Sequence, residues 1–238
     1  IVPVHYGGNS CDMDKLLKIS HKYGLIVIED AAQSIFAKYK DKYLGTLGDL
    51  STLSFHQTKN ITSGEGGALL INNTIYKERA FLIRDKGTNR KEFINKKVNK
   101  YTWVDIGSSY IPSEINSALL LSQLLSSEEI INRRCKLWHK YNESFKELEI
   151  SGKLIRNKIP KFNKPNYHLY FFILQNNFIR DKFISKMIEQ GISCASHYEP
   201  LHMSSFGKKF YSKDSDLKIT ENIYNRLVRL PLWPGLEI

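Results

Sequence analysis

Cysteine is scarce in this chain of 238 residues: only Cys11, Cys135 and Cys194 are present. Three scattered thiols do not make a disulfide scaffold, and they point to a reducing, cytoplasmic setting. Long apolar runs are missing too. No stretch nears the roughly 20 consecutive apolar residues that span a bilayer. Arginine is sparse among the cations, 9 against 26 lysines, although 35 basic and 24 acidic residues leave a formal charge of +11. Nucleic-acid readout favours the bidentate arginine fork, and scattered lysine reads as a solvated surface. Zinc-finger spacing, an RNA-binding aromatic motif and a basic zipper are all lacking. Neither a nucleic acid nor a membrane is therefore expected as a partner. Disorder is also excluded, because 42% apolar and 12% aromatic residues suffice for a packed core.

What is present alternates strand and helix. Ile1-Val2-Pro3-Val4-His5 reads as a strand. Asp12 reads as a helix N-cap, with Met13, Leu16 and Leu17 on one face and Gly24 as the stop. Leu25-Ile26-Val27-Ile28 is a continuous apolar run of the kind found in buried parallel strands, ending at Glu29-Asp30. That is a βαβ unit. Further strands are expected over 51–55 and 68–71, and a helix over 75–84. A long, bent helix should start at Ser113-Glu114 and run toward Leu148. The segment 152–166, with Pro160 and Pro165, reads as a linker or loop. After it come a strand over 167–174, a helix over 179–190 stopped by Gly191, and a strand over 192–197. The expected division is a large domain over 1–125, a linking helix over 126–150 and a small α/β domain over 151–238.

Four features stand at strand ends, where parallel α/β sheets bind ligands. Glu29-Asp30-Ala31-Ala32-Gln33 follows a buried strand, and its acid is either a cap or a site group. Ser54-Phe55-His56-Gln57-Thr58-Lys59-Asn60 places a lysine among hydroxyls, a histidine and an amide. Gly64-Glu65-Gly66-Gly67 lacks the Gly-Lys-Ser/Thr ending of a phosphate loop and reads first as a tight turn. Asp105-Ile106-Gly107-Ser108-Ser109-Tyr110 precedes the long helix, where small hydroxyl residues either hold phosphate or cap. A lysine and an acid at one sheet edge suggest pyridoxal 5'-phosphate, which needs an amine for covalent attachment and an anion at its ring nitrogen. Lys77 to Lys100 holds nine basic and three acidic residues, 9 − 3 = +6, and would attract an anionic ligand or coat a surface. Cys194, His197 and His202 lack a fourth ligand and tight pairing, so no metal is expected.

The motifs at 29–33, 54–60 and 64–67 resemble the DegT/DnrJ/EryC1/StrS family of sugar aminotransferases. The resemblance implies a fold type I aminotransferase, that is, part of a mostly parallel three-layer α/β sheet domain plus a smaller C-terminal α/β domain. It implies that Lys59 carries the cofactor covalently, that Asp30 pairs with the pyridine nitrogen, that Gln33 lies near the ring hydroxyl and that Ser54 binds the phosphate. Ser109 stands where many family members have an asparagine that reaches the neighbouring subunit's phosphate. His5, His56, His197 and Tyr198 are candidate substrate contacts. Lys86-Gly87-Thr88-Asn89-Arg90, the stretch 100–110 and His197-Tyr198-Glu199-Pro200-Leu201-His202 resemble the branch acting on dTDP-4-keto-6-deoxyglucose. That branch takes an amino group from glutamate and makes dTDP-4-amino-4,6-dideoxygalactose for surface polysaccharide such as enterobacterial common antigen. A homodimer with shared sites is implied. The alternatives are another keto sugar (aminated at C3 or linked to UDP) and an inactive interaction subunit. Family members carry about a third more chain ahead of the position of Ile1, so the sequence reads as a fragment that is poorly folded and inactive alone.

Overall fold

The computed structural model describes residues 1–211 and 216–237. Its elements are, in order, α1 (Met13–Tyr23), β1 (Ile28–Asp30), β2 (Lys38–Tyr39), β3 (Lys42–Tyr43), β4 (Leu50–Ser54), β5 (Gly67–Ile71), α2 (Lys77–Arg84), α3 (Arg90–Ile94), α4 (Glu114–Leu125), α5 (Ser127–Ser144), α6 (Lys146–Ile150), β6 (Leu154–Arg156), β7 (Asn163–Lys164), β8 (Tyr170–Leu174), α7 (Asn177–Glu189), α8 (Lys218–Tyr224) and β9 (Leu227–Leu230). They form two compact units. One comprises Ile1–Glu128 with Pro160–Asn166, the other Glu129–Ile159 with Tyr167–Ile238.

In the first unit, α1 begins where the Asp12 side chain accepts the Lys15 amide and ends at Gly24, which adopts φ +60. A left-handed residue there is what glycine permits without a Cβ clash. The helix buries Met13 against Val27, Ala37, Tyr39 and Leu44. The sheet has the order β1-β4-β5, with β1 parallel and β5 antiparallel to β4. Residues 1–5 do run parallel beside β1. The Asp30 amide donates to Pro3 O at 2.9 Å, and the His5 amide donates to Asp30 O at 3.0 Å. Only Val4–Asp30 forms a bridge, and Pro3 has no N–H to extend the ladder. The second expected strand begins late. Leu25 and Ile26 are exposed, and regular pairing starts at Ile28.

The expected long helix bends at Ser126, which separates α4 from α5. The Ser113 hydroxyl caps α4 by accepting the Asn116 amide at 3.2 Å. From Glu129 onward, α5 and α6 are part of the second unit. Trp138 from α5 packs edge-on against Tyr170, and Phe145 packs on Phe172. The second sheet is antiparallel, in the order β6-β8-β9. Tyr170, Phe172 and Leu174 alternate inward along β8, as a one-face strand requires. Buried Arg134 donates to the carbonyls of Tyr167 and His168, and burial lowers its pKa to about 10. The strand expected over 192–197 reduces to one bridge, Ala195–Arg229.

The segment 160–166, which reads as a linker, folds onto the first unit. Its β7 pairs antiparallel with β2. No helix among the described residues is long and apolar enough to cross a membrane.

Candidate active site

β1 and β4 run parallel, with Asp30 opposite Thr52, so Asp30 and Ser54 stand at the carboxyl ends of adjacent strands. Ligands of parallel α/β sheets bind beyond such ends. Beyond β1 the chain turns at once. The Ala31 amide donates to Thr52 O at 3.0 Å, and the Ser34 amide to Ala31 O at 2.9 Å. Half-buried Asp30 accepts the Ala32 amide on Oδ1 at 3.1 Å. Gln33 accepts the Gly7 amide on Oε1 at 2.7 Å. That hydrogen bond joins the turn after β1 to the loop before α1.

Beyond β4, the loop 55–66 closes on itself. The Phe55 amide donates to Gly66 O at 2.8 Å, and the Ser63 amide to Phe55 O at 2.9 Å. The glycines serve this closure. A Cβ on Gly67 would lie 2.8 Å from Leu53 O, and one on Gly66 would lie 2.6 Å from Ser63 Oγ. The tight turn expected from their spacing is therefore their first role. Inside the loop, the Lys59 amide donates to His56 O at 2.9 Å. The Lys59 side chain is half-buried. Burial pushes its amine below the ordinary lysine value, and the Asp30 carboxylate pulls it partly back up.

The Ser54 hydroxyl accepts the His56 amide at 3.3 Å. His56 is half-buried. Its Nδ1 lies 2.9 Å from Thr58 Oγ1, and its Nε2 faces Glu65 Oε1 at 3.6 Å. His5 differs from its expected role on a substrate pocket. It is fully buried, its Nε2 meets Glu29 Oε2 at 2.9 Å, and its Nδ1 accepts the Cys11 amide at 3.3 Å. Both ring nitrogens are thus committed to the protein. Ser109 lies on an exposed segment tied to the end of α2, where Ser109 bridges Asp85 and Ser108 O accepts the Lys86 amide. His197 and Tyr198 belong to the second unit. Burial lowers the His197 pKa to about 4, so its ring is neutral near pH 7, and it packs edge-on to Phe171. Tyr198 is exposed. Among the described residues no three His, Cys, Asp or Glu side chains gather as metal ligands.

Two asparagines complete the cluster: Asn60, which ends the 54–60 motif, and Asn166, which lies outside every motif. Asn60 Nδ2 donates to Asn166 O at 2.7 Å, and Asn166 Nδ2 donates to Gln33 O and Ile35 O, both at 2.9 Å. They are 106 positions apart, and no local pattern links them.

The donor set suits a pyridine ring bearing an aldehyde and a phosphate. It offers an amine of lowered basicity, a carboxylate in its field and a hydroxyl at the next strand end. An Asp30→Asn substitution tests the coupling directly. Without the carboxylate, the upward pull on Lys59 disappears and burial alone acts. The pH midpoint for labelling Lys59 with an amine reagent, followed by peptide mass spectrometry in cofactor-free full-length protein, should move to lower pH. A midpoint that rises or stays would show that Asp30 does not act on this amine.

Known proteins carry the same arrangement of chain. An uncharacterised protein of Methanocaldococcus jannaschii is 36% identical over 99% of this chain and 62% of its own length. The UDP-4-amino-4,6-dideoxy-N-acetyl-beta-L-altrosamine transaminase of Campylobacter jejuni is 29% identical over 99% of this chain and 61% of its own. The solved structure of Helicobacter pylori PseC, an aminotransferase involved in the biosynthesis of pseudoaminic acid, superposes with a TM-score of 0.88 at 27% identity. It matches 100% of this chain and 62% of that one. This chain thus spans about three-fifths of the length of the curated relatives it matches. The fold is that of the fold type I aminotransferases, whose cofactor is pyridoxal phosphate. The family model for DegT/DnrJ/EryC1/StrS aminotransferases matches residues 1–238, and the chain belongs to that family.

Proposed function

We propose that the protein transfers an amino group from glutamate to C4 of a nucleotide-linked 4-keto-6-deoxy sugar, with Lys59 and Asp30 as its central groups. The observation that carries this reading is geometric: Asp30 ends β1, and half-buried Lys59 lies in the loop that leaves the adjacent parallel strand β4. When bound, pyridoxal phosphate supplies an electron sink for the charge left on carbon after a proton departs. Asp30 would keep the ring nitrogen protonated, because a carboxylate favours a cation beside it. The Lys59 Nζ amine would anchor the cofactor covalently, and the same amine would serve as the proton carrier. Burial lowers its basicity, which favours the neutral amine that acts as nucleophile and base. Ser54 would offer its hydroxyl to the phosphate, and Gln33 would stand on the side of the ring hydroxyl. Ser109, His56, His197 and Tyr198 are assigned on the family pattern alone.

The sugar we favour is dTDP-4-keto-6-deoxyglucose, because the stretches 86–90, 100–110 and 197–202 resemble the branch acting on it. The product is then dTDP-4-amino-4,6-dideoxygalactose. A second reading is a UDP-linked 4-keto sugar, and the name of the Campylobacter relative favours it. Both readings share the amine at C4. The protein should act as a homodimer. Trp103, Ile106, Ile115 and Leu125 are each at least 77% exposed in the first unit. Exposed large apolar side chains are what a partner surface covers, and a second copy would supply that surface.

The test is a panel assay on full-length protein. With glutamate as donor, dTDP-, UDP- and GDP-linked 4-keto-6-deoxy sugars are offered, and 2-oxoglutarate and the amino sugar are identified. Turnover of the dTDP sugar at least about 100-fold above the UDP sugar is expected. The reverse ratio would establish the second reading, and no turnover of any of them would overturn both.

A further inference from the structure

We propose that Asn166, acting through Asn60, is a positioning residue that holds the Lys59 loop against the turn carrying Gln33. The inference rests on the reading that Lys59 carries the cofactor. Its evidence is geometric. Asn166 is 1% exposed and Asn60 5% exposed. The Asn166 main-chain oxygen receives the Asn60 amide group, while its side chain donates to Gln33 O and Ile35 O. One residue therefore grips both the loop after β4, which carries Lys59, and the turn after β1, which carries Gln33.

The grip is itself anchored. Three residues earlier, Asn163 Oδ1 accepts the Ser10 amide at 3.0 Å, and its Nδ2 donates to Asn9 Oδ1 at 3.1 Å and Gly8 O at 3.3 Å. The loop at 7–10 is shaped to admit the segment. A Cβ on Gly8 would fall 2.0 Å from Asn166 Oδ1, where no side chain fits. The Gly7 amide in the same loop holds the Gln33 side chain. Lys59 is thus fixed on both sides, by its own amide to His56 O and by its successor, Asn60. Precise placement of a reacting group matters because misplacement by about 1 Å can cost about 100-fold in rate.

Asn60→Ala removes the donor without touching Asn166 or the charge of the loop. In cofactor-free full-length protein, amide exchange over residues 56–62 should quicken at least about tenfold, with β8 unchanged. In the cofactor-loaded protein, the visible circular dichroism of the lysine-linked cofactor should fall by about half or more, and kcat by about tenfold. Asn60→Ser retains a shorter donor and should lie between parent and Asn60→Ala. If Asn60→Ala does not fold, Asn60→Ser decides by the same readouts. A lower melting temperature with exchange, dichroism and kcat all unchanged would reduce the contact to ordinary structural support and overturn the inference. Failure of the underlying reading looks different, because the parent itself would then show no visible band that Lys59→Ala removes.

Discussion

Lys59→Ala is expected to abolish borohydride trapping of pyridoxal phosphate on the full-length protein and to reduce amino transfer by at least about 100- to 10,000-fold, the range a positioned proton carrier supplies. The loss has two parts. The anchor disappears, and so does the amine that moves the proton. Lys59→Arg separates chemistry from charge, since a guanidinium stays protonated and forms no such linkage. It should be as inactive as the alanine variant. Neither change should much alter stability. The side chain is only half-buried, and burial already disfavours its charge. Tryptic mass spectrometry of the reduced parent should place the adduct on the peptide carrying Lys59. There are 26 lysines, so the position is informative. An adduct that persists in Lys59→Ala with activity retained would remove Lys59 from the site.

Features set by neighbouring residues were legible in the sequence. Asp12 and Gly24 bound α1 as their side-chain chemistry requires, and Ser113 caps α4. The inward alternation of β8 follows from Tyr170, Phe172 and Leu174. Asp30 and Lys59 stand out in the sequence as candidates because strand ends are where parallel sheets bind ligands, and the structure places both just beyond adjacent parallel strands or at their ends. What depended on distant pairing was not legible. Pro160, Pro165 and several lysines give 160–166 the composition of a linker, yet Asn163 and Asn166 are buried by partners about 106 to 155 positions away. A buried amide looks like any surface amide until its partners are known. Leu25 and Ile26 illustrate the converse. An apolar run predicts burial, but regular pairing begins only at Ile28 and leaves both exposed. His5 looked available because nothing near it in sequence shows that Glu29 and the Cys11 amide occupy its ring.

The largest stability effect is expected at Glu29, next to Asp30 and fully buried. Its carboxylate receives four hydrogen bonds. Oε1 accepts the Leu47 and Gly48 amides at 2.7 and 2.6 Å, and Oε2 accepts the Gly45 amide at 2.8 Å and His5 Nε2 at 2.9 Å. That fills the acceptor sites of an ionised carboxylate. Burial raises the Glu29 pKa, but the bonds from His5 and the three amides outweigh it and hold the pKa below the ordinary value of 4.5. Glu29→Ala leaves three amide donors and one imidazole unpaired and should cost about 3–5 kcal/mol. Glu29→Gln keeps the volume but turns an N–H₂ group toward two donors, so it should be no milder than half that cost. The sign of the pH dependence follows. A depressed folded-state pKa gives stability that is complete above the unfolded value, near 4.5, and is lost as pH falls through the folded value. Urea midpoints of full-length parent and Glu29→Gln should therefore stand farthest apart above about pH 5 and converge as the medium is acidified. A gap that stays constant down to about pH 3 would mean that geometry alone, without the negative charge, holds the turn at 45–48 against β1.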